Sequence, residues 1–344
     1  MSGPNILLVG NGRPHHVGAC FQRALRELDH PYRFVDEAAL TPEPPGAWIR
    51  RSVGRVPGVL SLVRQVFVRA VMATVATFRP DVVLVVKGGF LTPRVLSAIR
   101  RSKAILVNYA TDDPFNPRAS TPEIRASIPL YDVYVTTRKA TVDDLIHAGA
   151  REVVWIPFAY DPTLHFPESP RDAQEATAFR SDVAFIGGGD EERASVFAEL
   201  AGRNHADLRL YGGYWKRYPS LRPFARGFVF GRQLRLVLGG TRVAPCLVRR
   251  ANRDSHVMRT FEVPACGAFM LAERTEEHAE FFEEGRDVAC FGSSEELADK
   301  VAYYLRAEGE RTRLARNGHE RVVRGRHTYR DRLVQILDLV RTRR

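Results

Sequence analysis

The stretch Ser181–Asp190 reads SDVAFIGGGD, a short run rich in apolar residues that ends in three glycines and an acid. A similar order occurs at Asn5–Gly12, which reads NILLVGNG. A helical pattern follows each stretch, as is typical of the strand, glycine loop and helix that open a Rossmann-like domain. A chain of 344 residues is long enough for two such domains. The sequence therefore predicts an α/β protein with two Rossmann-like domains.

Strand and helix signals alternate through the first half of the chain. The strand-like runs are Asn5–Gly10, Asp81–Lys87, Ala104–Tyr109, Val133–Thr136 and Val153–Ile156. Helical patterns lie between several of these runs, at Gly18–Leu28, Thr92–Arg101 and Lys139–Ala148. Such alternation predicts a parallel sheet covered on both faces.

A segment punctuated by prolines, PFAYDPTLHFPESP, interrupts the alternation before the second glycine loop. Strand-like runs then return at Leu208–Tyr211, Phe269–Ala272 and Val288–Phe291, and helical patterns at Glu191–Leu200, Ser294–Arg306, Glu308–Gly318 and Tyr329–Val340. We expect an N-terminal acceptor domain at residues 1–165, a nucleotide-sugar donor domain at 166–328, and a helical tail at 329–344 that packs back on the first domain. This is the plan of the GT-B fold, in which two parallel sheets face an interdomain cleft.

The composition predicts a cytoplasmic protein. The four cysteines are far apart, with no CxxC pair and no metal-finger spacing, so free thiols of a reducing compartment are expected. The first residues, MSGPNILLVGNG, have no basic segment followed by an apolar one, unlike a signal peptide.

The net charge of +11 is concentrated in part of the first half, where eleven basic residues and one acid, Asp81, lie between Pro45 and Ala104. The segment Gly58–Phe78 is nearly apolar enough to span a membrane, but Arg64 and Arg69 interrupt it, so a buried or amphipathic helix is expected. The flanking Arg50, Arg51 and Arg55 predict binding to an acidic acceptor or to the inner face of an anionic membrane. A solvated basic surface without a partner is the alternative, and no nucleic acid is expected.

The first glycine loop also occupies the place of a dinucleotide-binding fingerprint. The third glycine of that pattern is replaced by His15, and Asp36 is the one candidate for the ribose-binding acid. Dinucleotide binding is therefore disfavoured. We expect Gly12, His15 and His16 to line the cleft on the acceptor side instead.

The second glycine loop suits a diphosphate. Gly187, Gly188 and Gly189 would let main-chain amides approach the phosphates, and the N-terminus of the next helix adds partial positive charge. Arg193, in the first turn of that helix, would neutralise a departing phosphate. A tight turn with a solvent-exposed arginine is the structural alternative.

The segment Asp254–Met270, DSHVMRTFEVPACGAFM, is the strongest signal for a ligand. Small residues, including Gly267, allow close packing beside a ligand. Glu262 is placed in a first helical turn to accept both hydroxyls of a ribose, and Arg259 and Ser255 are candidates for further donor contacts.

Several stretches resemble the CgeB-like (spore-maturation-protein-like) glycosyltransferases of the GT-B superfamily. The main match is MRTFEVPACGAFMLAERTEEHAEFFEEG with SSEELADKVAYYL. Supporting matches, in the order of that family, are RPDVVLVVKGG, NYATDDPFN, PFAYDP, FIGGGDEER and LYGGYW. They cover most of the chain from Pro80 to about Arg332, whereas Leu40–Phe78 matches poorly.

The resemblance implies that Glu262 is the second glutamate of the E-x7-E motif of retaining GT-B enzymes, which holds the donor ribose. Asp254, a shorter acid, occupies the position of the first glutamate. This departure leaves retention or inversion of configuration open.

Asp112 and Asp113 follow the strand Ala104–Tyr109, where a carboxylate would face the ligand crevice of an open parallel sheet. Together with Asp254 they are the catalytic candidates, either as a base for the acceptor hydroxyl or to orient the donor sugar. The alternative for each is to cap the turn before Pro114. No Asp-x-Asp metal motif stands in a suitable place, and no metal or cofactor is expected.

The favoured function is glycosyl transfer from a nucleotide-diphosphate sugar, with a UDP-sugar preferred, to an acceptor that the sequence does not name. Two alternatives stay open, namely a nucleotide-sugar epimerase on the same fold and a non-catalytic nucleotide-binding protein of envelope or spore-coat assembly. The sequence predicts no oligomeric state.

Overall fold

Residues 3–40, 59–203 and 206–343 are described by the computed structural model, and the chain divides into two compact units. The first unit takes Met1–Pro157, Ala251–Arg253 and Tyr329–Arg344, and the second takes Phe158–Arg250 and Asp254–Thr328. The sequence placed the boundary at residue 165 and treated 329–344 as a separate tail. Arg50, Arg51 and Arg55 lie outside the described residues.

The first unit contains a parallel sheet whose described strands follow the order β2-β1-β3-β4-β5-β6. The strands are β1 (Ile6–Gly10), β2 (Tyr32–Asp36), β3 (Val82–Val86), β4 (Ile105–Ala110), β5 (Val133–Thr136) and β6 (Val153–Trp155). All residues of β1 and β3 are buried. Continuous burial is the property of a parallel strand whose two faces are both covered, which explains the unbroken apolar runs.

The described helices of the first unit are α1 (Val17–Glu27), α2 (Glu37–Leu40), α3 (Val59–Phe78), α4 (Pro93–Arg100), α5 (Pro122–Ser127), α6 (Val142–His147) and α14 (Tyr329–Arg341). Threonine followed by proline begins two of them. Thr92 accepts a hydrogen bond from the amide of Val95, and Thr121 accepts one from the amide of Ile124. The capping hydroxyl and the fixed φ of proline therefore set both helix starts.

The helix α14 packs against α1, although more than 300 residues separate them in sequence. Phe21 of α1 is fully buried and meets Tyr109 and Tyr329 edge to face, with ring centroids 5.0 Å and 5.5 Å away. Arg330 and Glu27 form an ion pair of 3.0 Å beside this contact. The C-terminal helix is thus part of the core of the first unit.

The long helix α3 packs on the sheet through Phe67, Val71 and Val75, which are spaced four residues apart and buried. Among the described residues it is the one helix long and apolar enough to cross a membrane, by length and composition alone, and 17% of that window (Ser61–Phe78) is buried. Arg64 donates through Nε to the carbonyl of Phe90.

The second unit contains a second parallel sheet, with described strands in the order β12-β11-β10-β7-β8-β9. The strands are β7 (Ser181–Ile186), β8 (Leu208–Tyr211), β9 (Ala225–Gly227), β10 (Thr241–Cys246), β11 (Met270–Glu273) and β12 (Ala289–Phe291). The sheets confirm the predicted α/β architecture. The strands β2, β9 and β10 were not among the predicted ones.

The described helices of the second unit are α7 (Ala173–Phe179), α8 (Glu191–Arg203), α9 (Gly231–Gly240), α10 (Arg259–Ala265), α11 (Glu276–Phe281), α12 (Ser294–Arg306) and α13 (Glu308–Arg324). Phe185, Phe197 and Trp215 form an aromatic group in the core, with ring centroids 4.7–5.8 Å apart. The helix α9 was not predicted, and α13 extends beyond the predicted end at Gly318.

A buried histidine joins α10 and α11 in the second unit. The Nδ1 of His278 donates to the carbonyl of Glu273 (2.6 Å), and its Nε2 accepts from the hydroxyl of Thr260 (2.8 Å). Both ring nitrogens are therefore satisfied in the neutral form, and burial lowers the pKa of His278 to about 4.

We predict that Phe21→Ala lowers the free energy of unfolding of the first unit by about 3–5 kcal/mol, because the cavity would lie between two helices and the sheet. Denaturant unfolding followed by circular dichroism measures the change. The control Ile146→Ala truncates a side chain that is 55% exposed and should change stability by less than about 0.5 kcal/mol. Equal losses in the two variants would contradict the assignment of Phe21 to the core.

We also predict that the second unit loses stability as the pH falls from 6.5 towards 4. Unfolded His278 takes up a proton near its ordinary pKa of 6.5, whereas the folded ring resists protonation until about pH 4. The stabilisation is therefore complete above pH 6.5, and roughly 3 kcal/mol is lost on acidification.

Denaturant midpoints at pH 7 and pH 5 test this expectation. His278→Gln should flatten the pH dependence, and the matched replacement of the exposed His147 by Gln should leave it as in the parent protein. An unchanged pH dependence in His278→Gln would show that other groups cause the loss.

Candidate functional site

The chain order of the second sheet reverses between β7 and β10, with β8 and β9 on one side and β11 and β12 on the other. We call the carboxyl ends of β7 and β10 the second switch point. Ligands of open parallel sheets bind beside such points. In the first sheet the equivalent place lies between β1 and β3.

The glycine loop at the second switch point is packed tightly against the end of β8. The amides of Gly187 and Gly189 donate to the carbonyls of Tyr211 and Gly213, both at 2.9 Å. Trp215 donates through Nε1 to the carbonyl of Gly187 (2.8 Å). Two of the three amides predicted to face a diphosphate are thus hydrogen-bonded to the main chain.

Steric constraints require a glycine at position 212, opposite this loop. Gly212 has φ +124°, and a Cβ atom there would lie 2.3 Å from the carbonyl oxygen of Gly187. A Cβ on Gly187 itself would lie 2.8 Å from the ring of Phe185. The glycines therefore serve the close approach of two loops in addition to any contact with a ligand.

Arg193, in the first turn of α8, bridges the loops after β7 and β10 and is 6% exposed. Its Nη1 donates to the carbonyl of Gly188 (3.2 Å), and its Nη2 donates to the carbonyls of Leu247 (3.0 Å) and Val248 (3.4 Å). Burial lowers the pKa of its guanidinium. This arginine holds the switch point together, and its contact with a phosphate stays a prediction.

Glu262 lies in the first turn of α10 and is 2% exposed. It forms an ion pair with Arg259, and its Oε1 is 3.5 Å from Nε2 of His165. Arg259 also donates through Nε to the carbonyl of Ile186, the last residue of β7 (3.2 Å). The predicted ribose ligand and its neighbouring arginine are therefore held at the second switch point.

The other candidates from the same segment lie at different places. The amide of Asp254 donates to the carbonyl of Arg249 (3.2 Å) after β10. The hydroxyl of Ser255 accepts from the amide of Glu277 (3.3 Å), at the start of α11. Gly267, with φ +76°, follows the C-terminal end of α10, and a Cβ there would be 3.4 Å from Pro167.

Two charged side chains at the second switch point were missed in the sequence. Arg249 is 44% exposed and lies 3.9 Å from Asp190, the residue after the glycine loop. Glu273, the last residue of β11, accepts from the amide of Val248 (3.0 Å) and pairs with Arg250 (2.5 Å). Arg249 was missed because β10 was not predicted, whereas Glu273 directly follows the predicted strand Phe269–Ala272 and was visible there as an acid at a strand end.

In the first unit, the two predicted catalytic aspartates have different surroundings. Asp112 forms an ion pair of 2.8 Å with the partly exposed Lys87, which follows β3. Asp113 is 3% exposed, and both of its oxygens accept from Arg253, at 2.7 Å and 3.1 Å. Asp113 also accepts from the amide of Phe115 (2.8 Å), so that it caps the turn at Pro114.

The loop after β1 holds the remaining candidates. The amide of Gly12 donates to Asp36, the last residue of β2 (2.6 Å). A Cβ on Gly12 would lie 2.4 Å from the Asp36 carboxylate. The rings of His15 and His16 are 4.7 Å apart in this loop. Asp36 is thus engaged with the loop itself, as well as with the amide of Ala38 (2.7 Å).

Glu37, which begins α2 directly after β2, is a further acid at this edge that the sequence did not single out. Burial raises the pKa of its carboxyl to about 7, although the charge of Lys87 acts in the opposite direction. A carboxyl that titrates near neutrality at the carboxyl edge of the sheet is a candidate for proton transfer.

Residues 193–338 match the family model described as Glycosyl transferase-like. This range contains α10 and most of the residues at the second switch point. No curated protein matches the chain in sequence.

Solved structures match the chain over nearly its whole length. Anabaena Alr3699/HepE, in complex with UDP and glucose, has a TM-score of 0.66 at 15% identity and covers 98% of this chain and 100% of its own. Sucrose-phosphate synthase from Thermosynechococcus elongatus has a TM-score of 0.69 at 13% identity, with 98% of both chains covered.

A Listeria monocytogenes protein assigned as a UDP-N-acetylglucosamine 2-epimerase matches with a TM-score of 0.54 at 12% identity, and 92% of both chains is covered. Because the architecture is common to transferases and to this epimerase, the fold alone does not select the activity. The family match over residues 193–338 favours glycosyl transfer. The chain therefore has the GT-B fold of these solved structures, and its residues 193–338 match a family model described as Glycosyl transferase-like.

Proposed function

We propose that the second unit binds a nucleotide-diphosphate sugar, with a UDP-sugar preferred. The observation that carries this proposal is the ion pair between the buried Glu262 and the partly exposed Arg259, which also donates to the last carbonyl of β7. A buried carboxylate is retained only where charged or hydrogen-bonding partners offset its desolvation. In this proposal the ribose hydroxyls become further partners of Glu262. Anabaena Alr3699/HepE, of the same fold, binds UDP.

We place the diphosphate between Arg259 and Arg249, which lie on the two sides of the second switch point. Arg249 is the more exposed of the two and reaches the residue after the glycine loop. Two cations and the N-terminus of α8 would stabilise the charge that develops on the departing diphosphate. The proposed transfer therefore needs no resident metal. Arg193 keeps the two loops at a fixed spacing.

For the acceptor, the proposal favours Asp112 over Asp113 as the group that accepts a proton. Both oxygens of the buried Asp113 accept from Arg253, whereas the more exposed Asp112 has a lysine partner that is itself exposed. Asp254 is proposed to orient the donor sugar, since it follows the loop after β10 and adjoins Ser255 in sequence. The acceptor itself is proposed to be acidic or held at a membrane.

We further propose, first, that the protein is a CgeB-like transferase. Second, we propose that it lies in the cytoplasm, at the inner face of the membrane. The support for the first is the sequence MRTFEVPACGAFM, which supplies both Arg259 and Glu262. The support for the second is the set of separated, buried and free cysteines.

The first prediction from this proposal is that UDP raises the melting temperature of the full chain. A nucleotide at 100 times its Kd stabilises the folded protein by about 2.7 kcal/mol. Differential scanning fluorimetry with UDP, using uridine as the control that lacks phosphates, measures the effect. No shift with UDP or any other nucleoside diphosphate at millimolar concentration would refute the donor site.

The second prediction is that Glu262→Ala weakens UDP binding by about 10- to 150-fold, because charge-assisted hydrogen bonds to the ribose contribute roughly 1.5–3 kcal/mol. Titration calorimetry on folded variants measures the change. Glu262→Gln, which keeps the shape, should bind with intermediate affinity. The control Glu308→Gln changes an exposed acid at the start of α13 and should leave the affinity unaltered. Parent-like affinity in Glu262→Ala would reduce this residue to a structural one.

A further inference from the structure

The amino edge of the first sheet contains a cavity of about 770 Å³, at the opposite end of the strands from the candidate site. Its walls come from the C-terminal ends of α3 and α4, the segments that lead into β3 and β4, and the end of the chain. Four cations line it, namely Arg79, Arg101, Lys103 and Arg343.

The two acids near this cavity, Asp81 and Glu152, already have partners within the protein. Asp81 accepts from the amide of Asn5 (2.7 Å) and thereby joins β3 to β1. Arg343 pairs with Glu152. The remaining three cations are exposed and lie where they can meet a ligand from solvent. The lining therefore has the charge needed to bind a phosphate-bearing anion.

Two of these cations have a left-handed backbone conformation, which glycine adopts with the least strain. Arg79 follows the end of α3 with φ +48°, and Lys103 follows the end of α4 with φ +66°. Glycine is the usual residue at a left-handed position after a helix. The sequence thus keeps a long cation at each helix end, both directed to one cavity.

An apolar stripe on α3 leads into the same cavity. Leu62 is 62% exposed and Val66 is 41% exposed, and the exposed Ala73 and Ala76 continue that face of the helix. Ala76 also lines the cavity. The stripe runs along roughly 21 Å of helix at 1.5 Å per residue, and Arg69 is the charged residue on it.

The opposite face of α3 is occupied by the sheet, through Phe67, Val71 and Val75. Because one face of α3 packs on the sheet, its exposed stripe is the face that can contact an interface. The stripe and the cationic cavity at its end together have the apolar and cationic composition that binds an anionic bilayer surface.

We propose that this cavity binds the phosphate of an anionic phospholipid headgroup while the α3 stripe rests on the bilayer surface. The inference rests on the proposed membrane location and names the site that makes the contact, whereas it is independent of the donor site, which belongs to the other sheet. It assigns the lipid contact to Arg79, Arg101 and Lys103, which the structure describes, rather than to the basic residues before α3.

Sedimentation of the full chain with phosphatidylglycerol vesicles tests the proposal, with phosphatidylcholine vesicles as the neutral surface. The expected result is strong, salt-sensitive binding to the anionic vesicles alone. The double variant Arg101→Gln and Lys103→Gln should lower the partition coefficient at least about tenfold. The matched variant Arg306→Gln and Arg324→Gln removes the same charge from exposed helix positions of the second unit and should bind like the parent.

The apolar contribution is tested separately with Leu62→Gln and Val66→Gln. These changes should weaken binding to anionic vesicles, whereas Ile146→Gln, at another exposed apolar position of the first unit, should not. Equal binding by the cavity variant and its charge-matched control would overturn the proposal.

Other outcomes would also contradict the lipid assignment. Retention in the vesicles after a carbonate wash would indicate insertion of α3. Stabilisation of the parent, but not of the cavity variant, by inorganic phosphate without vesicle binding would assign the cavity to a soluble phosphate. The thermal shift that UDP induces should be the same in all these variants as in the parent. Failure of the donor-site proposal can therefore be distinguished from failure of the lipid proposal.

Discussion

The buried guanidinium of Arg193 sets the geometry on which the candidate donor site depends. An arginine that is 6% exposed would destabilise the fold strongly if its N–H groups were unpaired. The carbonyls of Gly188, Leu247 and Val248, in the loops after β7 and β10, accept from Nη1 and Nη2. The Nε atom makes no hydrogen bond within the described part of the chain and lies 4.0 Å from the Asp190 carboxylate. The cation therefore fixes the width of the second switch point. Arg249 follows Val248 directly, so the contact between Arg193 and Val248 also determines where Arg249 lies.

The first unit has an analogous hydrogen-bonded cluster, which we call the node, around Ala251–Arg253, a short segment that belongs to this unit. The Oδ1 of Asn252 accepts from the main-chain amide of Asp113 (3.0 Å) and from the side-chain Nδ2 of Asn116 (3.3 Å). The main-chain carbonyl of Asn252 accepts from Nε of Arg138 (2.9 Å). Arg253, with φ +49°, completes the node by pairing with Asp113. Asp113 is thus a structural carboxylate, and for this reason the proposed function assigns proton transfer to Asp112 instead. The residues that supply the node, Ala251–Arg253, follow a strand of the other unit.

Local patterns were sufficient to predict several central strands and the start of the helix that follows Thr92. Unbroken apolar runs predicted β1, β3 and β7, because strands covered on both faces need no polar residues. The strand β10 was not predicted, since its sequence TRVAPC contains a polar start and a proline. A proline is tolerated where its missing N–H leaves no ladder bond unmade. Such a position depends on the neighbouring strands and is not visible in the strand's own sequence.

The candidate site was predictable in its residue types and less so in its pairings. Glu262 and Arg259 stand three residues apart on one helix, so their proximity follows from local sequence. The pairing of Asp113 with Arg253 joins positions 140 residues apart. The amides of the glycine loop were expected to face a ligand, yet two of them pair with the end of β8. The spacing of residues in the sequence indicates which helix or strand a residue belongs to. Contacts with residues from a distant strand can be identified only once the fold is known.

The polarity of a parallel sheet explains why opposite charges collect at the two edges of the first unit. Helices begin at the carboxyl edge, where their positive ends favour acids, and they end at the amino edge, where their negative ends favour cations. Asp36, Glu37 and Asp112 follow this rule at one edge, and Arg79 and Lys103 follow it at the other, whereas Lys87 and Asp81 are exceptions to it. The helix dipole contributes about 0.3–1 kcal/mol for an exposed cation. A left-handed backbone at a residue other than glycine costs about 1–2 kcal/mol, so the dipole alone does not offset the two left-handed cations. The anion that we propose for the cavity would add stabilisation at this edge, opposite the carboxyl edge where Asp36, Glu37 and Asp112 lie.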